Sequence, residues 1–301
     1  MPQFGAEGVW VSVFTAISAF CNAGFDLFGR FGAYSSLVPY VNNYYVQAVI
    51  MFMIMAGGLG FMVWVELAEH RKKRRLSLHA KVVLQFSVIF WVGGAALLAL
   101  LEWSNPRTMG GLSVPGKIMA ALFQSVSTRT AGMNTIDLAA CSPISKLLMS
   151  VLQFIGAAPG STGGGVKVTT FAVLILTIRS VAQGRDDCVI GGHHIESKTV
   201  YRALTIIVIG AVAAFGSAVV VYYNTAETVS VIDCIFESCS AFGTVGLSVG
   251  VTGQLNTGAK LLYMACMFMG RVGPVSLAIS LTAKPDDNKC KVLPVGHINV
   301  G

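Results

Sequence analysis

Three short segments of the chain share a pattern that suits coordination of a metal ion by the backbone. They end in glycines spaced 108 and 114 residues apart, and they read Asn22-Ala23-Gly24, Thr130-Ala131-Gly132 and Thr244-Val245-Gly246. A monovalent cation that crosses a membrane must exchange its water shell for fixed oxygens, which rings of backbone carbonyls can supply. Glycine is needed because those carbonyls must point inward in a conformation that other residues resist. The alternative is that these small residues only form helix-packing contacts.

A fourth glycine-rich run interrupts the apolar stretch between residues 147 and 178. Its central residues are Gly160, Ser161, Thr162, Gly163, Gly164 and Gly165. No unbroken helix would tolerate this composition together with the proline that precedes it. Backbone polar groups that are not in a helix can lie at membrane depth only where they border a water-filled cavity. We therefore predict a flexible loop beside an aqueous path, and a packing kink is the alternative.

One arginine, Arg271, lies inside the last apolar stretch, at residues 261–283. A charge within a membrane span costs at least a few kcal/mol, so it usually faces a pathway or pairs with carbonyl groups. The sequence allows both roles for Arg271, and they are compatible.

Nearly uncharged stretches predict the elements that position these residues. Five stretches have about the 20 residues that cross a bilayer, at residues 44–65, 82–101, 147–178, 203–227 and 261–283. Three shorter apolar stretches, at residues 9–20, 118–126 and 229–242, are too short to span and predict re-entrant segments. Each of the three glycine segments follows one of the shorter stretches.

Composition and charge favour a multi-pass membrane protein. The chain is 54% hydrophobic and only 12% charged, which excludes intrinsic disorder and makes a water-soluble enzyme improbable. Thirteen Lys and Arg residues fall on one predicted side of the membrane and six, including Arg129, on the other. The positive-inside rule makes the first side cytoplasmic, so the C-terminus is cytoplasmic and the re-entrant segments enter from outside.

Together these pieces resemble the Trk/Ktr/HKT superfamily of potassium transporters, in particular the membrane subunits of bacterial Ktr-type uptake systems. The matching segments are residues 18–29, 124–137, 159–167, 240–248 and 269–274. Such subunits have four span–pore–span repeats in one chain. The resemblance divides this chain into the end of repeat two at 1–68, repeat three with a broken second span at 69–180, repeat four at 181–284, and a cytoplasmic tail at 285–301.

The resemblance implies an all-α membrane protein of potassium-channel-like architecture, with five transmembrane helices and three re-entrant pore loops. The three glycine segments would form a potassium filter, the run at 160–165 a gate beneath it, and Arg271 a charge near the pore. It also implies a homodimer in the cell membrane, bound to a cytoplasmic nucleotide-binding ring of the RCK type. Because three segments leave a ring of four open, we expect roughly 120–150 further residues in a complete pore.

The expected function is potassium uptake, with no catalytic residue, no cofactor in this chain and no nucleic-acid partner. The transported ion is K⁺, and Na⁺ is a candidate coupling or activating ion. The alternatives are a Na⁺ or non-selective monovalent-cation transporter, or a non-functional fragment that acts only as a membrane scaffold. An intramembrane serine protease is disfavoured because no predicted span contains a histidine to serve as its base.

Overall fold

The computed structural model describes residues 5, 7–31, 35–73, 75–185, 188–225 and 229–273. This part of the chain is almost entirely helical. Its helices are α1 (Glu7–Phe20), α2 (Tyr44–Gly58), α3 (Phe61–Lys73), α4 (Leu78–Glu102), α5 (Val114–Ser127), α6 (Pro143–Phe154), α7 (Val168–Ala182), α8 (Ser197–Asn224), α9 (Val231–Gly243) and α10 (Thr257–Val272). The described strands are the short antiparallel pair β1 (Val189–Ile190) and β2 (His193–His194).

Two helices in the described part of the chain, α4 and α8, are each long and apolar enough to cross a membrane. Their large outward side chains are exposed, among them Ile89, Val92, Leu100, Val212 and Phe215. Continuous apolar surface of this kind is costly in water and is satisfied by lipid. These helices confirm the spans expected over residues 82–101 and 203–227.

The straight span expected over residues 44–65 is instead a bent pair. Helices α2 and α3 meet at 99°, and together they are apolar enough to count as one further broken span. The bend lies at Gly60, whose φ is +84°, and a Cβ there would lie 2.6 Å from the carbonyl oxygen of Pro159. Only glycine allows both this backbone conformation and this close approach.

The remaining two predicted spans are interrupted or only partly described. As expected, residues 147–178 do not form one helix, because α6 and α7 are separated by the non-helical residues 155–167. Helix α10 ends at Val272, and the rest of the fifth predicted span lies outside the described residues. The cytoplasmic tail expected at 285–301 lies outside them too.

The three predicted re-entrant segments are short helices, α1, α5 and α9, of 14, 14 and 13 residues. Serine side chains cap two of them, since Ser113 accepts a hydrogen bond from Gly116 N and Ser230 accepts one from Ile232 N. Helix α5 packs against α4, and α9 packs against α6, α8 and α10. Their C-terminal ends lead directly into the three glycine segments.

Candidate functional site

The three glycine segments come from distant parts of the chain and meet at one place. A Cβ on Gly24 would lie 3.0 Å from the carbonyl oxygen of Ala131 and 3.3 Å from that of Val245. A Cβ on Gly132 would overlap the Val245 carbonyl oxygen and lie 3.2 Å from the Cα of Gly24. The nearest atom to a Cβ on Gly246 would be the Gly132 Cα, at 4.0 Å. The structure therefore brings together all three segments singled out in the sequence.

The three segments also share one backbone conformation. Their first residues, Asn22, Thr130 and Thr244, have φ values of 48°, 79° and 52°. Their glycines have φ values of 73°, 78° and 92°, and the residue between has negative φ in each case. A non-glycine residue in the left-handed region costs roughly 1–2 kcal/mol, so the surrounding structure must hold it there. Alternation of positive and negative φ along a segment can turn successive carbonyl oxygens to one side, the arrangement that suits a cation.

The glycine-rich loop lies directly against the first residue of every segment. The Thr162 hydroxyl donates to the carbonyl oxygen of Phe20 at 3.0 Å and accepts a hydrogen bond from Asn22 Nδ2 at 3.1 Å. A Cβ on Gly163 would overlap the Thr130 hydroxyl oxygen. A Cβ on Gly164 would likewise overlap the Thr244 hydroxyl oxygen. Three consecutive loop residues thus contact three different glycine segments.

Backbone hydrogen bonds hold the base of this loop. Gly156 N donates to Val166 O at 2.8 Å, and Val168 N donates to Ala157 O at 3.1 Å. The tip is held as well, because Thr162 N donates to Gly57 O at 3.3 Å and the Lys167 ammonium donates to Gly163 O at 2.6 Å. The loop is therefore bonded to its neighbours both at its base and at its tip.

Arg271 contacts the tip of this loop. Its guanidinium donates a hydrogen bond to the carbonyl oxygen of Thr162, and its side chain is otherwise exposed. Gly270, the residue before it, accepts a hydrogen bond from Gly165 N at 3.1 Å. Arg271 therefore pairs with a carbonyl, as one of its two expected roles requires, and it does so beside the glycine segments.

A second arginine, Arg129, is buried, so the prediction that it is one of the outer loop charges is wrong. It is only 4% exposed, and its Nη2 donates to the carbonyl oxygen of Gly156 at 2.6 Å. Its guanidinium carbon lies 5.1 Å from the centre of the Phe90 ring, within cation–π distance. Arg129 thus joins the second glycine segment, Thr130-Ala131-Gly132, to the base of the loop. The sequence feature that could have indicated its burial is the short apolar stretch, residues 118–126, that comes just before it.

A cavity of about 530 Å³ opens beside the three glycines, and Asp26 and Asp137 also line it. The buried carboxylate of Glu237 holds one wall, because it accepts hydrogen bonds from Val249 N at 3.0 Å and Val251 N at 3.1 Å. The carboxylate of Asp233, also on α9, pairs with the Lys146 ammonium at 2.7 Å. Both acidic residues of α9 therefore fasten protein segments to one another.

Comparisons with known proteins agree with this geometry. The family model described as "TrkH: Cation transport protein" matches residues 1–291. Over its whole length the chain is 34% identical to "Ktr system potassium uptake protein B" of Bacillus subtilis, and over 94% of its length 36% identical to "Potassium/sodium uptake protein NtpJ" of Enterococcus hirae. It spans 66% and 62% of these two relatives.

A solved structure shares the fold. The potassium transporter TrkH from Vibrio parahaemolyticus matches with a TM-score of 0.72 at 18% sequence identity, over 94% of this chain and 65% of that one. The family match covers nearly the whole chain, and the fold agrees with it. The chain therefore belongs to the TrkH family of cation transport proteins.

Proposed function

We propose that this chain forms much of the ion path of a potassium uptake protein in the cell membrane. The observation that carries the proposal is the convergence of three glycine segments with the same alternating backbone. Their carbonyl oxygens would replace the water shell of K⁺. Relatives named as potassium uptake proteins support K⁺ as the ion. Na⁺ remains a second candidate, as a transported, coupling or activating ion, because another relative is named a potassium/sodium uptake protein.

The path would run from the cavity beside the three glycines, on the outer side, through the three segments to the cytoplasm. Helices α1, α5 and α9 end at the segments, and the negative ends of their dipoles favour a cation there. The membrane potential then draws K⁺ inward by ~2.3 kcal/mol per 100 mV. No covalent step is required of any residue in this path.

The glycine-rich loop, residues 160–165, would act as the gate of this path. An ion that leaves the segments toward the cytoplasm meets Thr162, Gly163 and Gly164 at once, because these residues touch the first residue of each segment. The loop must move aside for the ion to pass. That movement would break the hydrogen bonds that join Thr162 to Phe20 O and to Asn22 Nδ2.

The assembly is proposed on the same family grounds. Relatives are named as single components of a Ktr system, which supports a separate partner for this chain. We propose a homodimer on a cytoplasmic nucleotide-binding ring of the RCK type, with the C-terminus of this chain on the cytoplasmic side. The division into the end of repeat two, repeat three and repeat four, at 1–68, 69–180 and 181–284, belongs to this proposal.

The proposal predicts potassium uptake in cells. This chain, expressed together with the further residues that we expect to complete its ring of four segments, should restore growth at low K⁺ and accumulation of isotopic K⁺ in a bacterial strain that lacks its own potassium uptake. Parallel measurements with isotopic Na⁺ distinguish a potassium protein from a sodium or non-selective one. A membrane-inserted protein that moves neither ion would leave only the scaffold alternative.

Replacement of Arg271 by alanine should change the uptake rate or the apparent K⁺ affinity, and it should not prevent membrane insertion. The substitution removes a positive charge that repels K⁺ beside the path and a hydrogen bond to Thr162 O. Removal of a charge from a span also eases insertion. The measurement is K⁺ uptake against concentration at matched membrane expression. Unchanged kinetics would show that Arg271 does not act on the ion.

A further inference from the structure

One serine on each short helix ties its glycine segment into a closed turn. These residues are Ser18 of α1, Ser127 of α5 and Ser240 of α9. Their hydroxyl groups donate, in that order, to the carbonyl oxygens of Phe25, Met133 and Leu247, at 2.7 Å in the first and third pairs. Each acceptor is the residue directly after the glycine of its segment. The same bond therefore occurs once in each repeat.

The backbone of each serine makes a second bond to the same segment. The serine carbonyl oxygens accept hydrogen bonds from the amides of Ala23, Ala131 and Val245, each at 2.9 Å. These donors are the middle residues of the segments. One serine thus holds the middle of the segment by its carbonyl and the residue after the segment by its hydroxyl.

We propose that Ser18, Ser127 and Ser240 are positioning residues that set the ion selectivity of the pore, an inference that rests on the proposed function. The two hydrogen bonds fix the length of each segment, and hence the positions of its carbonyl oxygens. Selectivity between K⁺ and Na⁺ depends on these positions, whether it arises from the size of the coordination site or from the number and field strength of the carbonyl groups. The serines are buried, so water cannot easily replace a lost hydroxyl.

Two of the three helices, α5 and α9, also offer a neighbouring serine as a control. Ser125 precedes Ser127 by two residues, is fully buried, and donates to the carbonyl oxygen of Trp91 at 2.9 Å. Ser238 precedes Ser240 by two residues, is also fully buried, and shares a hydrogen bond of 3.1 Å with the Tyr263 hydroxyl. These controls lose a buried hydrogen bond without loosening a glycine segment.

The test compares Ser127→Ala and Ser240→Ala with Ser125→Ala and Ser238→Ala in the full chain. Uptake of isotopic K⁺ and Na⁺ is measured at matched membrane expression, and the readout is the ratio of the two initial rates. A net hydrogen bond corresponds to roughly a three- to tenfold change in an equilibrium, so we expect the K⁺/Na⁺ ratio to fall by about that factor in the first pair. The control pair should keep the parent ratio, even if its expression falls.

Equal shifts in the two pairs, or an unchanged ratio in Ser127→Ala and Ser240→Ala, would overturn the inference and leave the proposed function intact. A parent protein that carries neither ion would overturn both. If the alanine variants do not reach the membrane, Ser127→Cys and Ser240→Cys provide the comparison. A thiol has a similar size and donates only weakly, so their ratio should lie between those of the parent and a non-selective protein. A parent-like ratio in the cysteine variants would count against the inference.

Discussion

Replacement of Gly132 by serine should abolish K⁺ uptake. A Cβ at this position would overlap the carbonyl oxygen of Val245, and the backbone φ of 78° is one that serine resists. The overlap displaces two segments at once, because Val245 belongs to the segment Thr244-Val245-Gly246. We expect a fall of at least about 100-fold, the rate equivalent of ~3 kcal/mol. The measurement is the initial rate of isotopic K⁺ uptake at matched membrane expression.

The control for this substitution is Gly216→Ser in α8. Gly216 is exposed, and no atom lies within 4 Å of a Cβ placed there. Its replacement should leave uptake close to the parent rate. Parent-like uptake in Gly132→Ser would show that the glycine segments do not line the ion path.

The sequence gives no reason to distinguish the glycines of the three segments. The structure predicts that their replacement has effects of different size, because their surroundings differ. Serine at Gly24 meets two carbonyl oxygens at 3.0 and 3.3 Å, so its effect should be the second largest. Serine at Gly246 has open space around it and meets only the strain of a φ of 92°. Gly246→Ser should therefore retain the most uptake and change mainly the K⁺/Na⁺ ratio.

The glycine segments could be predicted because the same small residues recur at near-equal spacing after short apolar stretches. The residue-by-residue alignment of the short helices that precede these segments could not be predicted. Aligning the glycines sets Val126 opposite Ser18, whereas the structure gives the equivalent hydrogen bond to Ser127. The turn between Ser127 and Gly132 is one residue shorter than its counterparts. Only the path of the backbone in three dimensions reveals that difference.

Hydropathy could not predict two other features, the bend at Gly60 and the burial of Arg129. Residues 44–65 carry no charge, so nothing in their composition marks the bend at Gly60, which depends on the approach of Pro159. Arg129 appeared to be a loop charge because it follows a stretch too short to span. Its burial depends on a carbonyl and an aromatic ring, at Gly156 and Phe90, that lie far from it in sequence.

Deletion of residues 160–165 should raise K⁺ flux and preserve K⁺/Na⁺ selectivity. The deletion removes the contacts of Thr162, Gly163 and Gly164 with the glycine segments. The bonds at the loop base, such as Val168 N to Ala157 O, lie outside the deleted residues. We expect a rise of about tenfold, as when a path that is open about a tenth of the time becomes permanently open. Initial uptake rates of K⁺ and Na⁺, normalised to protein in the membrane, provide the measurement.

A variant that keeps the loop at full length serves as the control for this deletion. Ser161→Ala removes only a hydrogen bond from the Ser161 hydroxyl to Ala158 O within the loop, so its flux should stay near that of the parent. Flux at or below the parent level in a folded deletion variant would contradict the gating role. A loss of selectivity would show instead that the loop is part of the filter.

If residues 160–165 gate the ion path as we propose, the contact of residues 162–164 with all three segments couples ion occupancy to loop position. Coupling between binding equilibria is reciprocal, so a factor by which loop position alters K⁺ affinity must equal the factor by which K⁺ alters the loop equilibrium. A cytoplasmic partner that holds the loop aside would therefore change the apparent affinity for ions arriving from outside. External K⁺ would, in turn, change the affinity of that partner for this chain by the same factor. The concentration of extracellular K⁺ would thus influence partner binding on the cytoplasmic side without a separate potassium sensor.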